Sequence, residues 1–356
     1  MNNIIKLDFT GQPIYIGIDV HKKRWSICIL TDHFEHKTFS QPPDSSVLVN
    51  YLKRNFPGAS YHAVYEAGYC GFWIHDRLRE QGVNCIVVNP ADVPTKDKER
   101  ATKSDPVDCR KLARSLKNRE LSGIYVPSRT KVEDRGLLRT RRSMVKKQTR
   151  CKNQIKSLLA FYGIHIPEDL VQSHWSRKFI DWIDEIRMER ASGNASLKAY
   201  LDELNHIRLI VLGLTKSIRA LAKTDEYGAN VRLLTTVPGI SLVTAMTLLT
   251  ELYSVSRFSS LDKLASYVGL IPDTNSSGEK DNTTGITNRR NQALRAMMIE
   301  SAWVAVRKDP ALVMAFDRLC KHMMKTKAIV QIARKLLNRI RYVLKNQKAY
   351  VMAVVQ

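Results

Sequence analysis

Residues 14–30 read Ile-Tyr-Ile-Gly-Ile-Asp-Val-His-Lys-Lys-Arg-Trp-Ser-Ile-Cys-Ile-Leu. Apolar residues alternate on either side of the basic tetrad His-Lys-Lys-Arg, which predicts two strands joined by a tight turn. A second turn at Asp32 to His36 leads to a third strand near Lys37 to Ser40, so the chain opens with a meander. Ser45 to Asn55 has helical spacing, Tyr61 to Tyr65 reads as a strand ending on Glu66-Ala-Gly, and a helix from about Cys70 to Gln81 leads through Gly82 into the buried strand Asn84-Cys-Ile-Val-Val-Asn-Pro. Strands that alternate with helices after a meander predict a mixed α/β sheet covered on both faces.

Beyond this sheet the pattern turns polar and basic at Lys96, Lys98, Arg100 and Lys103, and then reaches Ser-Asp-Pro-Val-Asp-Cys-Arg-Lys-Leu-Ala-Arg at 104–114. Pro106 suits a first helical position with Asp105 as N-cap, and the i, i+3 spacing sets Asp105 and Asp108 on one helix face. The two acids then do no more than cap the helix and complement its dipole, or they join Asp19 and Glu66 at the ends of two strands. Four carboxylates gathered at one sheet edge repel one another unless a divalent cation neutralises them, so the second alternative predicts a Mg²⁺ site suited to phosphodiester chemistry.

Composition favours a polyanionic partner. The 356 residues carry 57 Lys plus Arg against 34 Asp plus Glu, a formal charge of +23, and each phosphate neutralised by such a surface releases counterions. No apolar run is long enough for a bilayer span and the N-terminus lacks a signal-peptide core, so a cytoplasmic place on nucleic acid is expected. The six cysteines, at 28, 70, 85, 109, 151 and 320, form no C-x-x-C pair and read as reduced thiols.

From Arg129 to Phe161 the sequence is helical and strongly basic. Arg135, Arg139, Arg141, Arg142, Lys146, Lys147, Arg150, Lys152 and Lys156 flank an apolar line of Leu138, Val145, Ile155, Leu158 and Leu159. A merely solvated helix usually mixes charge signs, so Arg139, Arg142, Lys146, Lys147 and Arg150 are candidate nucleic-acid contacts. The segment from Leu197 to Ala222, with Leu201, Leu204, Ile207, Leu209 and Leu212, suits an antiparallel helix pair or a coiled coil and offers an oligomer contact.

Val237-Pro-Gly-Ile precedes a helix, either as a helix-hairpin-helix whose Gly239 turn presents amides to a phosphate, or as plain helix-turn-helix packing. Gly-Leu-Ile-Pro is followed by a polar loop from Asp273 to Gly285 and by a helix with Arg289, Arg290 and Arg295. The loop is a connection or a functional loop, and Arg289 and Arg290 are further candidate nucleic-acid contacts.

Six motifs in this order resemble the transposases of the IS110/IS1111 insertion sequences. They are Tyr-Ile-Gly-Ile-Asp-Val-His-Lys (15–22), Tyr-Glu-Ala-Gly-Tyr (65–69), Val-Val-Asn-Pro (87–90), Lys-Ser-Asp-Pro-Val-Asp-Cys-Arg-Lys-Leu-Ala (103–113), Val-Pro-Gly-Ile (237–240), and Val-Gly-Leu-Ile-Pro with Ser-Ser-Gly (268–278). The resemblance covers nearly the whole chain. It implies a RuvC-like, RNase H-type α/β domain at 1–127 with a mixed sheet, a basic helical or coiled-coil linker at 128–226, and a mostly α-helical C-terminal transposase domain at 227–356.

The family's D-E-D-D quartet maps onto Asp19, Glu66, Asp105 and Asp108, and its nucleophilic serine onto Ser277, with Ser276 the alternative. Also implied are covalent phosphoserine chemistry on DNA with Mg²⁺, a composite site from two domains, a structured guide RNA encoded by the element, and a homo-oligomer, dimer or tetramer. The partners are then element-end and target DNA, in a prokaryotic cytoplasm and on the nucleoid. Two other readings stay open: a RuvC-like structure-specific endonuclease that activates water without a serine, and a non-catalytic nucleic-acid-binding protein with structural carboxylates.

Overall fold

The computed structural model describes residues 8–95, 104–171, 175–277, 280–286 and 291–352, and for 273–286 only the backbone. The chain divides into two compact units, Met1–Val126 and Pro127–Gln356. Lys96, Lys98, Arg100, Lys103, Arg289 and Arg290 lie outside the described residues.

The first unit is a five-stranded mixed sheet in the order β3-β2-β1-β4-β5, formed by β1 (Pro13–Val20), β2 (Trp25–Leu30), β3 (Glu35–Gln41), β4 (Ser60–Glu66) and β5 (Asn84–Val88). The meander pairs antiparallel, whereas β1, β4 and β5 run parallel. The parallel pairs need crossovers, which are α1 (Ser45–Asn55) between β3 and β4 and α2 (Trp73–Glu80) between β4 and β5.

Alternation along each strand sorts side chains to two faces. Ile14, Ile16, Ile18, Trp25, Ile27, Ala63, Tyr65 and Val87 form one core with Leu48, Leu52, Ile74 and Leu78 of the two crossover helices. On the opposite face Val64 and Val88 pack with Leu112, and Cys28 packs with Cys109 and Ala113, all three partners belonging to α3 (Asp105–Lys117). Burial pushes the thiols of Cys28 up to about 11 and of Cys85 and Cys109 up to about 12, so they stay protonated and serve as packing groups.

Gly17 decides how close α3 comes to the sheet. A Cβ at this position would lie 2.0 Å from the Cys109 carbonyl oxygen and 2.5 Å from the Ala113 nitrogen. The helix backbone therefore rests directly on β1, one turn away from Asp105.

The second unit is helical. Its α4 (Arg129–Phe161), α5 (Glu168–Val171), α6 (Arg177–Glu185) and α7 (Ala191–Leu221) enclose a core of Cys151, Ile155, Leu159, Phe179, Ile183, Leu197, Leu201, Leu204 and Ile207. Arg141 Nε donates to Thr215 Oγ1 at 2.8 Å and Cys151 Sγ to the Tyr200 carbonyl at 3.3 Å, so α4 and α7 run antiparallel. Leu209 and Leu212, 68% and 52% exposed, stay outside that core.

A larger core joins Leu138 of α4 and Ile218 of α7 to α8 (Gly228–Thr235), α9 (Leu242–Leu252), α10 (Leu261–Val268), α11 (Gln292–Ala305), α12 (Pro310–Cys320) and α13 (Lys325–Asn346). Between α10 and α11 the sequence reading expected an irregular polar loop. The structure has an antiparallel ribbon instead, β6 (Pro272–Ser277) and β7 (Lys280–Ile286), with Ser277 opposite Lys280. Its β-branched Thr274, Thr283, Thr284 and Ile286 suit an extended backbone despite the polar composition.

Candidate functional site

Asp19 and Glu66 sit on adjacent parallel strands. Both follow the paired residues Ile18 and Tyr65 by one position, so the register sets them side by side at the carboxyl ends of β1 and β4, on the face that carries Gly17 and α3. This is the sheet edge where open α/β folds collect functional groups.

The start of α3 differs from the sequence reading by one residue. Ser104, not Asp105, is the N-cap: its backbone is extended, with φ −152° and ψ 150°, and its carbonyl accepts from the Val107 and Asp108 amides at 2.9 and 3.0 Å. Asp105 is thus the first helical residue and Pro106 the second, where a missing N–H costs nothing because the first-turn amides lack intrahelical partners. The Asp105 carboxylate is consequently released from capping.

That carboxylate turns to the β1–β2 turn. Arg24 Nη2 donates to Asp105 Oδ2 at 3.0 Å, and His21 Nε2 lies 3.4 Å from Asp105 Oδ1 and 3.1 Å from Asp19 Oδ2. Asp108 pairs with Lys111 Nζ at 3.3 Å. Tyr69, three residues beyond Glu66, donates its hydroxyl to the Val20 carbonyl at 3.2 Å and tethers the loop after β4 to the end of β1.

The electrostatics of the two central acids oppose each other. Burial holds the Asp19 carboxyl above its ordinary value, and the charges of Asp105 and Asp108 add to that while His21 works against it. The hydrogen bond from Arg24 holds Asp105 below its ordinary value. A partly buried carboxylate repelled by two neighbouring acids is stabilised by an added cation.

Among the described residues, Asp19, His21 and Asp105 bring one ligand atom each to within 4.8 Å of one another. Glu66 and Asp108 do not join that set. The donor chemistry, two carboxylates and one imidazole, fits a divalent cation. His21 and Arg24 had no role in the sequence reading. Their signal there was their place in the basic turn that follows Asp19, with His21 also inside the 15–22 motif.

The expected basic face is divided. Lys146, Lys147 and Arg150 are exposed and Arg142 is half-buried. Arg139, its side chain about half exposed, also has a partner within the protein. It grips the buried Glu251 of α9 with Nε at 2.7 Å and Nη2 at 2.9 Å, because a carboxylate 2% exposed needs a charged partner. Asn291 Nδ2 donates to the same carboxylate at 2.9 Å. Arg139 therefore joins helices within the second unit.

Gly239, with φ +86°, is closely packed as well: a Cβ there would lie 2.3 Å from the Ser301 carbonyl of α11. Ser241 and Ser260 cap α9 and α10 through the Thr244 and Lys263 amides. Ser277 closes β6, and Gly278 lies outside the described residues.

Two family models match. One, described as the transposase IS116/IS110/IS902 family, covers residues 231–316. The other, the DEDD model of IS110 transposases, covers 16–164 and so includes Asp19, Glu66, Asp105 and Asp108. The protein y4rJ of Sinorhizobium fredii is 30% identical over 302 residues, 77% of this chain and 74% of its own.

The chain belongs to the IS110 family of transposases.

The transposase of insertion sequence element IS1111A from Coxiella burnetii is 24% identical over 231 residues, 64% of this chain and 60% of its own. The pilin gene-inverting protein of Moraxella lacunata is 24% identical over 345 residues, 91% and 93% of the two chains. As an IS110-family transposase the protein is a DNA-cleaving and recombining enzyme, and its mixed sheet is a RuvC-like RNase H fold carrying the DEDD region. Among the described residues no helix is long and apolar enough to cross a membrane.

Proposed function

We propose that this transposase cuts and rejoins the DNA of an insertion sequence through Ser277, with Mg²⁺ held by Asp19, Glu66, Asp105 and Asp108. The observation that carries the acidic part is the gathering of Asp19, His21 and Asp105 within 4.8 Å at the sheet edge, beside Glu66 on the neighbouring strand. When bound, the cation supplies Lewis-acid polarisation and charge neutralisation at a phosphate.

The chain's own residues do the rest. Arg24 keeps Asp105 ionised, and Gly17 lets α3 hold Asp105 and Asp108 against the end of β1. Ser277 Oγ loses its proton and bonds to the phosphorus as the P–O bond to the departing strand breaks, and that strand's oxygen takes up a proton. The reverse displacement by a new DNA hydroxyl releases the serine and restores a phosphodiester, so no external energy source is needed. Rejoining is supported by the likeness to a gene-inverting protein along nine-tenths of both chains.

We also propose a structured, element-encoded guide RNA, a homo-oligomer of two or four copies, and association with the nucleoid. The surplus of +23 charges and the exposed Lys146, Lys147 and Arg150 support a protein that holds two nucleic acids. Exposed Leu209 and Leu212 on α7 support the oligomer. In this reading 128–226 serves as a basic helical linker and 227–356 as the transposase domain proper.

Ser277→Ala tests the nucleophile. Purified protein mixed with RNA transcribed from the element, labelled element-end DNA and Mg²⁺ should form a denaturant-resistant, protease-sensitive protein–DNA adduct, and the variant should form none and leave the DNA uncut. Cleavage of the DNA by Ser277→Ala at the wild-type rate would establish the water-activating nuclease instead.

A further inference from the structure

The turn after β1 places an imidazole where a hydrolytic acidic site ordinarily has only oxygens. We propose that His21 is a ligand to the divalent cation and that its nitrogen biases the site toward Mn²⁺ over Mg²⁺. The inference rests on the cation reading of Asp19 and Asp105 given above.

The geometry is that of neighbouring ligands. An octahedral cation with bonds of about 2.1 Å sets adjacent donor atoms about 3.0 Å apart and opposite ones about 4.2 Å apart. His21 Nε2 stands 3.1 Å from Asp19 Oδ2 and 3.4 Å from Asp105 Oδ1, and all three donors lie within 4.8 Å. A shift of a few tenths of an ångström turns this cluster into one side of a coordination shell. The remaining positions stay open to water or phosphate oxygens.

One further contact shapes the set. Arg24 occupies Asp105 Oδ2 at 3.0 Å, so the oxygen left facing the cluster is Oδ1, the one near His21. A single nitrogen between two carboxylate oxygens carries at most one hydrogen. As a donor His21 therefore serves only one carboxylate well, whereas a cation at the centre serves all three groups.

The chemical consequence is selectivity. Mg²⁺ prefers oxygen ligands and sheds water reluctantly, and first-row transition ions gain more from an imidazole. Mn²⁺ accepts carboxylate and imidazole alike, so an Asp-His-Asp set favours it over Mg²⁺, and it is also a spectroscopic probe of the set.

The test uses the full chain freed of metal and titrated with Mn²⁺. Pulsed electron paramagnetic resonance should detect the ¹⁴N modulation of a coordinated imidazole, and Mg²⁺ competition gives the ratio of the two affinities. His21→Gln should still bind Mn²⁺, lose the nitrogen signal, and lower the Mn²⁺ to Mg²⁺ affinity ratio, because the amide oxygen that replaces the imidazole suits both ions. His21 is about half exposed, so the variant should fold, with an unchanged melting temperature as the check.

Mn²⁺ bound by the wild type and lost in Asp19→Asn, but with no ¹⁴N coupling, overturns the histidine ligand and leaves the cation site standing. A nitrogen signal that survives in His21→Gln overturns it as well. Wild-type protein that binds neither ion overturns both readings.

Discussion

Replacing Gly17 with Ala tests the link between the fold and the site. The added Cβ would meet the Cys109 carbonyl oxygen at 2.0 Å and the Ala113 nitrogen at 2.5 Å, and both are backbone atoms that no rotamer change can move aside. Restoring an ordinary contact near 3.4 Å requires α3 to lift by about 1.4 Å from β1, an overpacking that typically costs 1–3 kcal/mol. Asp105 lies one turn from Cys109 on that helix and Asp19 two residues from Gly17 on that strand, so the lift separates the carboxylates by a comparable distance. A misplacement of about 1 Å in a reacting constellation is worth about 10²-fold in rate. Denaturant unfolding and a DNA-cleavage assay should therefore show a loss of about 2 kcal/mol and about 10²-fold slower cleavage. Wild-type stability together with wild-type cleavage in Gly17→Ala would refute the placement of α3 and, with it, the pairing of Asp19 and Asp105.

Removing Arg139 strands the buried Glu251 with Asn291 as its remaining side-chain partner among the described residues, so Arg139→Ala should cost about 3 kcal/mol in denaturant unfolding, and Arg139→Ala combined with Glu251→Gln should recover part of it. Replacing Lys146, Lys147 and Arg150 together with Ala should change stability by less than about 0.5 kcal/mol per site. The same triple change should weaken DNA binding and flatten the plot of log affinity against log salt by about 0.9 for each phosphate left without its cation. The two central acids should respond oppositely to pH. Asp19, raised by burial, contributes stability below the ordinary carboxylate range and loses it as pH rises through its folded value, so Asp19→Asn should unfold no earlier than wild type at pH 7 while abolishing cleavage. Asp105, lowered by Arg24, contributes stability above that range and loses it as pH falls through its folded value, so melting curves should show Asp105→Asn less stable than wild type at pH 7.

What the sequence showed about this protein was set by contact range. Alternation in 14–30 and the Glu66-Ala-Gly ending are local signals, and they carried the meander, the mixed sheet and the two acids at strand ends. The cap of α3 was misplaced by one residue because Pro is tolerated at either of the first two helical positions. Ser104 competes with Asp105 for the cap by backbone conformation, which composition does not encode. Arg139 looked like its neighbours Lys146 and Arg150 because a basic helix does not reveal which cation will meet a carboxylate 112 residues further on. The close packing at Gly239 was hidden for the same reason, since the Ser301 carbonyl that excludes a side chain there arrives from another helix. His21 shows the effect most clearly. It forms no ligand spacing with any other histidine, and its meaning comes from Asp105, 84 positions away, which only the packing of α3 on Gly17 brings within reach. A small residue in an otherwise apolar strand, two positions before an acid, is thus what lets a helix close over that acid, and its meaning, like that of His21, comes only from that packing.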